Sequence, residues 1–506
     1  MIADARPSSR LSKILGADGN PFQLQQNRPR EMQQMQFQPR RASLRYDAAQ
    51  DSESMGRYWA FADHLDADSS NSRSIRQKLV SRSRYETQSN AYYQGILATQ
   101  ANYLVGTGPT LRMQSRTPGF NEAVEALFKQ WAMEIALPAK LWCMAHAKVQ
   151  DGEALALAGT NERLRSRVKL DLMLIETEQC QTPWLLAPER GQVDGIKLDG
   201  FGNPLWYDIL TQHPGSDGLS LSSDAEQVPS ELVMHWFRMR RPGQHRGVPE
   251  MTSSLNCGAG FRRWRDSTLT AAEVAANFAV LLQTTMAPDE SDFAAPFSTA
   301  EINKGMMTAL PFQYDAKQLD AKHPNSTYSE FHKSQVSEQA RPLGMPYNVA
   351  AADSSSYNYA SGRLDHQSYF MSLDVDREDC QARVLDKIFG LWYAEAELEY
   401  GWTRGSVPQH TWDWPQHPVA DIRAEAIANN FNLRNGSVGL TQVYANQGYD
   451  AEEQMQADAD LFGIPIEQYK QRVFDTLFPE QQPSAQEASD SADREEAQQQ
   501  LEDSRT

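Results

Sequence analysis

Glu231-Leu-Val-Met-His-Trp-Phe-Arg-Met-Arg-Arg-Pro-Gly-Gln-His-Arg-Gly-Val-Pro249 changes character twice along its length. It opens with the β-branched and aromatic side chains of a strand, passes into an Arg-rich segment, and closes on Gly and Pro that punctuate a turn. An alanine-rich stretch follows. Pro249 is a favourable first helical residue, and Phe261, Trp264, Ala271, Ala275, Phe278 and Leu282 form one stripe before Pro288, so the spacing predicts a single helix from Met251 to Ala287. At about 1.5 Å per residue that helix would be a rod of about 55 Å, which a single globule rarely needs. The small side chains of Thr270-Ala-Ala-Glu-Val-Ala-Ala-Asn-Phe-Ala279 suit close approach by neighbouring helices.

Upstream, Tyr93, Ile96, Leu97, Ala101 and Leu104 recur at helical spacing between Asn90 and Val105, and Gly106 stops the run. From about Ala147 to Phe237 the signal changes to strands. Asp151-Gly152 between Lys148-Val149 and Ala154-Leu-Ala-Leu157 is a hairpin signal, Leu170, Leu172 and Leu174 alternate, and Gly195 to Tyr207 suggests a second hairpin. The fold class is α+β, a mainly antiparallel sheet flanked by helices.

Downstream, Pro288, Pro296, Pro311 and Pro324 break the chain around one short helix near Thr299 to Thr308. A second helix, Thr327 to Gln339, ends before Pro342, because the residue ahead of a proline disfavours the α region. Ala350 to Ser361 is a polar loop. It precedes a long helix from Gly362 to Glu397 with Val384, Leu385, Ile388, Leu391 and Trp392 on its apolar face. A Trp-rich linker, Trp402 to Pro418, leads to helices over Val419 to Phe478 with breaks at Asn435-Gly436 and Gly448.

The chain has 506 residues and a formal charge of −18, long enough for several structural units and a large core. That charge opposes gripping DNA through Lys and Arg, although an acidic protein can surround DNA without holding it. The 4 cysteines, Cys143, Cys180, Cys257 and Cys380, lie far apart without a CxxC pair, which indicates neither a zinc cluster nor a disulfide framework. They are expected to be reduced and mostly packed. The first residues lack an apolar leader and no stretch of about 18 apolar residues occurs, so neither secretion nor a membrane span is expected. The Gln/Arg-rich stretch to Arg45 is expected to be a flexible basic arm, and Gln481 to Thr506 a disordered acidic tail.

The residues offer little chemistry. There is no GxxxxGK[ST] phosphate loop and no GxSxG elbow, so any ATP-driven work would belong to a partner. His146, His235 and His245 lack ligand spacing, and Asp151-Gly152-Glu153 suits a turn better than an acidic metal site. Catalytic residues, metal ligands and cofactors are therefore expected to be none. Two clusters remain as candidates. Arg238, Arg240, Arg241 and Arg246 suit either carboxylates across a subunit interface or phosphate oxygens. Asp353, Ser354, Ser355, Ser356, Tyr357, Asn358, Tyr359 and Ser361 offer hydroxyls, an amide and two rings, which suit contacts to sugar or phosphate without sequence information.

The opening stretch resembles the strand, turn and helix start of lambda-type tailed-phage portal proteins. Other pieces resemble that family in the same order: Tyr46-Asp47-Ala48, Asn90-Ala-Tyr-Tyr-Gln-Gly95, Val105-Gly-Thr-Gly108, Asp151-Gly152-Glu153, Arg341-Pro-Leu-Gly-Met-Pro-Tyr347 and Asp353 to Ser361. The resemblance implies a portal fold with a wing over 46–250, stem helices over 251–287 and 326–345, a clip over 288–325, a channel loop over 346–362, a long helix and linker over 363–417, and a helical crown over 418–480. It also implies a homo-oligomeric ring, a dodecamer, at one vertex of the phage head. Double-stranded DNA would pass through it without sequence specificity, and it would be assembled in the host cytoplasm. The implied partners are the terminase large subunit, a head–tail connector or adaptor, and the major capsid and scaffold proteins, with no membrane. A shell or scaffold protein and a metal-dependent DNA-processing enzyme are the alternatives.

Overall fold

The computed structural model describes residues 59, 62–183, 191–216, 225–277, 281–284, 314–317, 328–355, 357–402, 405, 407–418, 422–446 and 451–478. The expected basic arm, the short helix near Thr299 to Thr308, the break at Gly448 and the acidic tail lie outside these residues.

Three helices open the described chain: α1 (Ala67–Ser70), α2 (Arg73–Ser89) and α3 (Ala91–Val105). The last is as the sequence predicts. The Asn90 side chain accepts from the amides of Tyr92 and Tyr93, satisfying two of the donors a helix start leaves open, and Gly106 ends the helix at φ 57. Strand β1 (Thr110–Met113) and helices α4 (Pro118–Glu134) and α5 (Leu137–Asp151) follow.

The expected hairpin at Asp151-Gly152 is instead the junction between α5 and strand β2 (Glu153–Thr160). Gly152 sits at φ 92, and a Cβ there would lie 2.2 Å from the Val248 carbonyl carbon. A glycine is required by conformation and by that close approach, so the same dipeptide signal serves a helix end.

Strands β3 (Leu170–Ile175), β4 (Gln192–Val193), β5 (Ile196–Leu198), β6 (Pro204–Leu210), β7 (Ala225–Pro229) and β8 (Val233–Phe237) come next. The order β3-β2-β8 makes one antiparallel sheet, and β4-β5-β6-β7 a second that contains the expected hairpin from Gly195 to Tyr207. Alternation along β2 explains its burial on both faces. Ala154 and Ala156 join the main core, while Leu155 and Leu157 join a smaller one with Cys180, Ile196, Tyr207, Ile209 and Val233.

Helix α6 (Leu255–Asn277) is shorter than the expected rod. Its 23 residues span about 34 Å, and they begin after a tight 3-10 turn at Thr252–Ser254 rather than at Pro249. The remaining stretch contains strand β9 (Leu281–Thr284), which pairs antiparallel with β10 (Tyr314–Lys317). Leu282 of the expected helical stripe is therefore a strand residue, because a run of small and β-branched side chains satisfies either period.

Helix α7 (Tyr328–Ala340) lies against α6 through aromatic contacts, with Trp264 at 4.9 Å from Tyr328 and 4.6 Å from Phe331 between ring centroids. After the short helix α8 (Tyr347–Ala350), the chain runs through α9 (Tyr359–Cys380), a π turn at Gln381–Leu385, and α10 (Asp386–Tyr400). The Trp-rich linker contains strand β11 (His410–Asp413), which pairs with β1. Phe128 ties that linker to the core, with centroids 5.2 Å from Trp131, 5.2 Å from Trp392 and 5.6 Å from Trp412. Helices α11 (Ile422–Arg434), α12 (Leu440–Asn446), α13 (Ala451–Phe462) and α14 (Ile466–Leu477) close the described chain. Among the described residues, no helix is long and apolar enough to cross a membrane.

Candidate functional site: a buried ionic core and a tied polar loop

The Arg-rich turn after β8 folds back on the α5–β2 junction. Gln244 organises it by accepting from the amides of Arg240 and Arg241 at 2.9 and 3.3 Å. Gly247 then passes so close to Gly152 that a Cβ on it would meet the Gly152 carbonyl oxygen at 2.1 Å. That approach directs Arg246 inward.

Arg246 is 1 % exposed, which removes it from both expected roles, subunit interface and phosphate contact. Its Nε donates to both oxygens of Glu153 at 3.1 Å, and Nη1 and Nη2 reach the carbonyls of Cys180 at 2.8 Å and Thr177 at 3.2 Å. Glu153 also accepts from the Gly247 amide at 2.7 Å and from the Thr177 hydroxyl. Burial would raise the Glu153 carboxyl, but the Arg246 charge and the His235 hydrogen bond hold it well below the usual carboxylate range.

His235 completes this core. Burial pushes its imidazole below the ordinary value, so it stays neutral near pH 7. With Glu153 Oε2 at 3.1 Å, Nε2 carries the proton, and Nδ1 is left to accept from the Tyr207 hydroxyl at 3.3 Å. The pair Arg73–Asp194 at 2.5 Å and the contact Arg76–Asp194 extend the network to α2.

The other expected arginines are spread over the same turn. Arg238 Nη2 lies 3.0 Å from Asp376, whose other partner is the buried ammonium of Lys148 at 3.3 Å. Lys148 also meets Glu250 at 2.7 Å, joining α5, α9 and the approach to α6. Arg240 donates to the Glu250 carbonyl at 3.0 Å, and Arg241 to the Leu65 carbonyl at 2.8 Å and the Ser70 hydroxyl at 3.0 Å. Arg240 and Arg241 keep exposed surface.

Sequence inspection missed Arg84, whose partners lie far away in the chain. It pairs with Asp151 at 2.8 Å, Glu176 at 2.9 Å and Glu178 at 3.0 Å. Glu176, Glu178 and His213 are close enough together to face one cation. The Arg84 guanidinium pairs with both carboxylates, and the His213 ring lies 3.4 Å from Glu176 and 3.8 Å from Glu178, so the three residues already sit in an ion-pair network.

The polar loop is shorter and better tied than expected. Tyr359 and Ser361 belong to the first turn of α9, and Asn358 caps that helix by accepting from the Ser361 amide at 2.8 Å. Asp353 accepts from the Ser355 amide at 2.9 Å and from the Tyr347 hydroxyl at 3.4 Å, and the Tyr357 amide donates to the Ser354 carbonyl at 3.1 Å. The Ser355 side chain and amide, helped by the Tyr347 hydroxyl and the Lys333 charge, hold the Asp353 carboxyl below its ordinary value. Ser354, Ser355 and Asn358 face solvent, and Ser356 lies outside the described residues.

A family model described as phage portal protein, lambda family, matches residues 56–375. No curated protein matches the chain. Among solved structures, one similar chain comes from the neck of an empty GTA particle computed with C6 symmetry, at 13% identity over 76% of this chain and 94% of that one, with a TM-score of 0.43. Two others come from the virion of a native gene transfer agent particle and from the neck of the native particle computed with C12 symmetry. Each is 13% identical over 76% of this chain and 93% of that one, with a TM-score of 0.38.

Proposed function

The chain belongs to the lambda family of phage portal proteins, and from that premise we propose that its copies close into a ring, a dodecamer, at one vertex of the phage head. Double-stranded DNA passes along the axis during packaging and ejection, a terminase large subunit supplies the force, and a head–tail connector docks on the same ring. Capsid and scaffold proteins surround it during assembly in the host cytoplasm. The α+β region through β8 serves as the wing, α6 and α7 as the stem, β9 and β10 with the chain between them as the clip, and α11 to α14 as the crown.

The observation that carries the ring is apolar surface left open on one face of α9. Leu364 is 65 %, Met371 70 % and Val375 62 % exposed, at spacings of seven and four residues that superpose on a helix. A second copy is the occupant this reading requires, since such a stripe is otherwise in water. Ile427, Phe431, Leu461, Phe462 and Phe474 leave α11, α13 and α14 open in the same way.

The exposed loop residues Ser354, Ser355 and Asn358 supply transient contacts to DNA, and the charge of −18 keeps phosphate from settling on the wall. Arg238, Arg240 and Arg241 face a neighbouring subunit. Electron microscopy of the purified protein tests the ring: particles with an axial hole are expected, whereas a stable monomer at micromolar concentration, or closed shells, would contradict it.

A further inference from the structure

Between α7 and the polar loop, one cation bridges two rings in a way that no expected role uses. The Lys333 ammonium of α7 lies 5.1 Å from the centroid of the Tyr347 ring and 5.6 Å from that of Tyr357. Tyr347 begins α8, before the loop, and Tyr357 ends the loop just ahead of the α9 cap. Lys333 therefore addresses both ends of the segment. The Asp353 carboxylate feels the same charge, and Tyr357 also lies against Gly362, with a ring carbon 3.9 Å from where a Cβ would stand.

The backbone indicates that the loop's shape is imposed by such ties. Ala352 is at φ 52, a left-handed conformation that costs an L residue roughly 1 kcal/mol and persists only where surroundings hold it. Local hydrogen bonds fix Asp353, Ser355 and Tyr357 relative to one another. None of those bonds joins the loop to α7, whereas Lys333 does.

We propose that Lys333 is a positioning residue for the loop: its ammonium, held over Tyr347 and Tyr357, fastens the loop to α7 so that the helix and the loop move together. Ring faces carry negative potential, and an ammonium within about 6 Å of a centroid is attracted to them. Lysine supplies this from a flexible stem, so the fastening is reversible. The fastening follows from the geometry alone, while its consequence for DNA passage rests on the channel-loop reading above.

Amide hydrogen exchange on the purified full-length protein without DNA tests the fastening separately from that reading. Lys333→Met removes the cation from both rings, and it should speed exchange at Asp353, Ser355 and Tyr357 by about two- to five-fold per ring while leaving the α7 amides unchanged. Lys333→Arg, which also stacks on rings, should restore wild-type exchange. In a Tyr347→Leu/Tyr357→Leu background, Lys333→Met should add much less than it does in the wild type, leaving only what its charge contributes near Asp353. Unchanged loop exchange in Lys333→Met, an equal rise in Lys333→Arg, a rise that spreads along α7, or a full effect in the Leu background would each overturn the proposal.

Discussion

The Arg246–Glu153 core and the loop at 353–358 are both polar, yet they differ in what surrounds them. In the core every charge is buried with a partner, so removing one leaves another stranded in a medium that cannot solvate it. In the loop the side chains meet water, and the ties are single hydrogen bonds and ring contacts. Polarity in the first place fixes a structure, and in the second it leaves Ser354, Ser355 and Asn358 facing solvent.

Arg246→Met should have the largest effect, since it strands Glu153 and leaves the Cys180 and Thr177 carbonyls without their donor. The expected destabilisation is about 3–5 kcal/mol, read by chemical denaturation. A small effect would erase the distinction between the two regions.

Glu153→Gln should cost on the order of 3 kcal/mol near neutral pH, with a pH dependence that identifies the cause. A carboxyl held below its ordinary value of 4.5 contributes stability above that pH and loses it as acid lowers the pH through the native value. The gap between variant and wild type should therefore be full above pH 4.5 and narrow below it. A gap of constant size down to acid unfolding would mean that Glu153 acts through packing.

At the end of the loop, Asn358→Ala removes the cap of α9 and should cost about 1 kcal/mol, seen as faster exchange at the Ser361 amide. The smallest effect belongs to Arg241→Met, an exposed side chain whose loss should stay within about 0.5 kcal/mol of wild type. A larger change confined to assembled rings would sharpen its role at a subunit contact.

Several elements were legible because local chemistry decided them. The Asn90 cap and Gly106 bracket α3, alternating leucines make β3, and Pro342 follows the end of α7. Where two structures satisfy one local pattern, the sequence did not discriminate. Gly152 fits a hairpin tip as well as a helix end, and its role depends on Val248, remote in sequence. The helix expected through Ala287 is described as far as Asn277, and Leu281–Thr284 pairs with β10 instead, a long-range contact that periodicity cannot report.

The basic turn shows the same limit for the site. Four arginines near one Pro-Gly turn look alike in sequence, and only the close passage of Gly247 over Gly152 sends Arg246 inward while Arg240 and Arg241 stay at the surface. The loop's position was legible, but its ties to Tyr347 and Lys333 were not, because they come from neighbouring helices with no shared period.

The most direct test of the account replaces 353–358 with a Gly/Ser linker and measures nuclease-protected DNA per particle at equal portal incorporation. Normal rings and clearly less protected DNA than wild type are expected. Unchanged DNA content would contradict this expectation by removing the loop from DNA passage, and failed ring assembly would show that these residues build the ring.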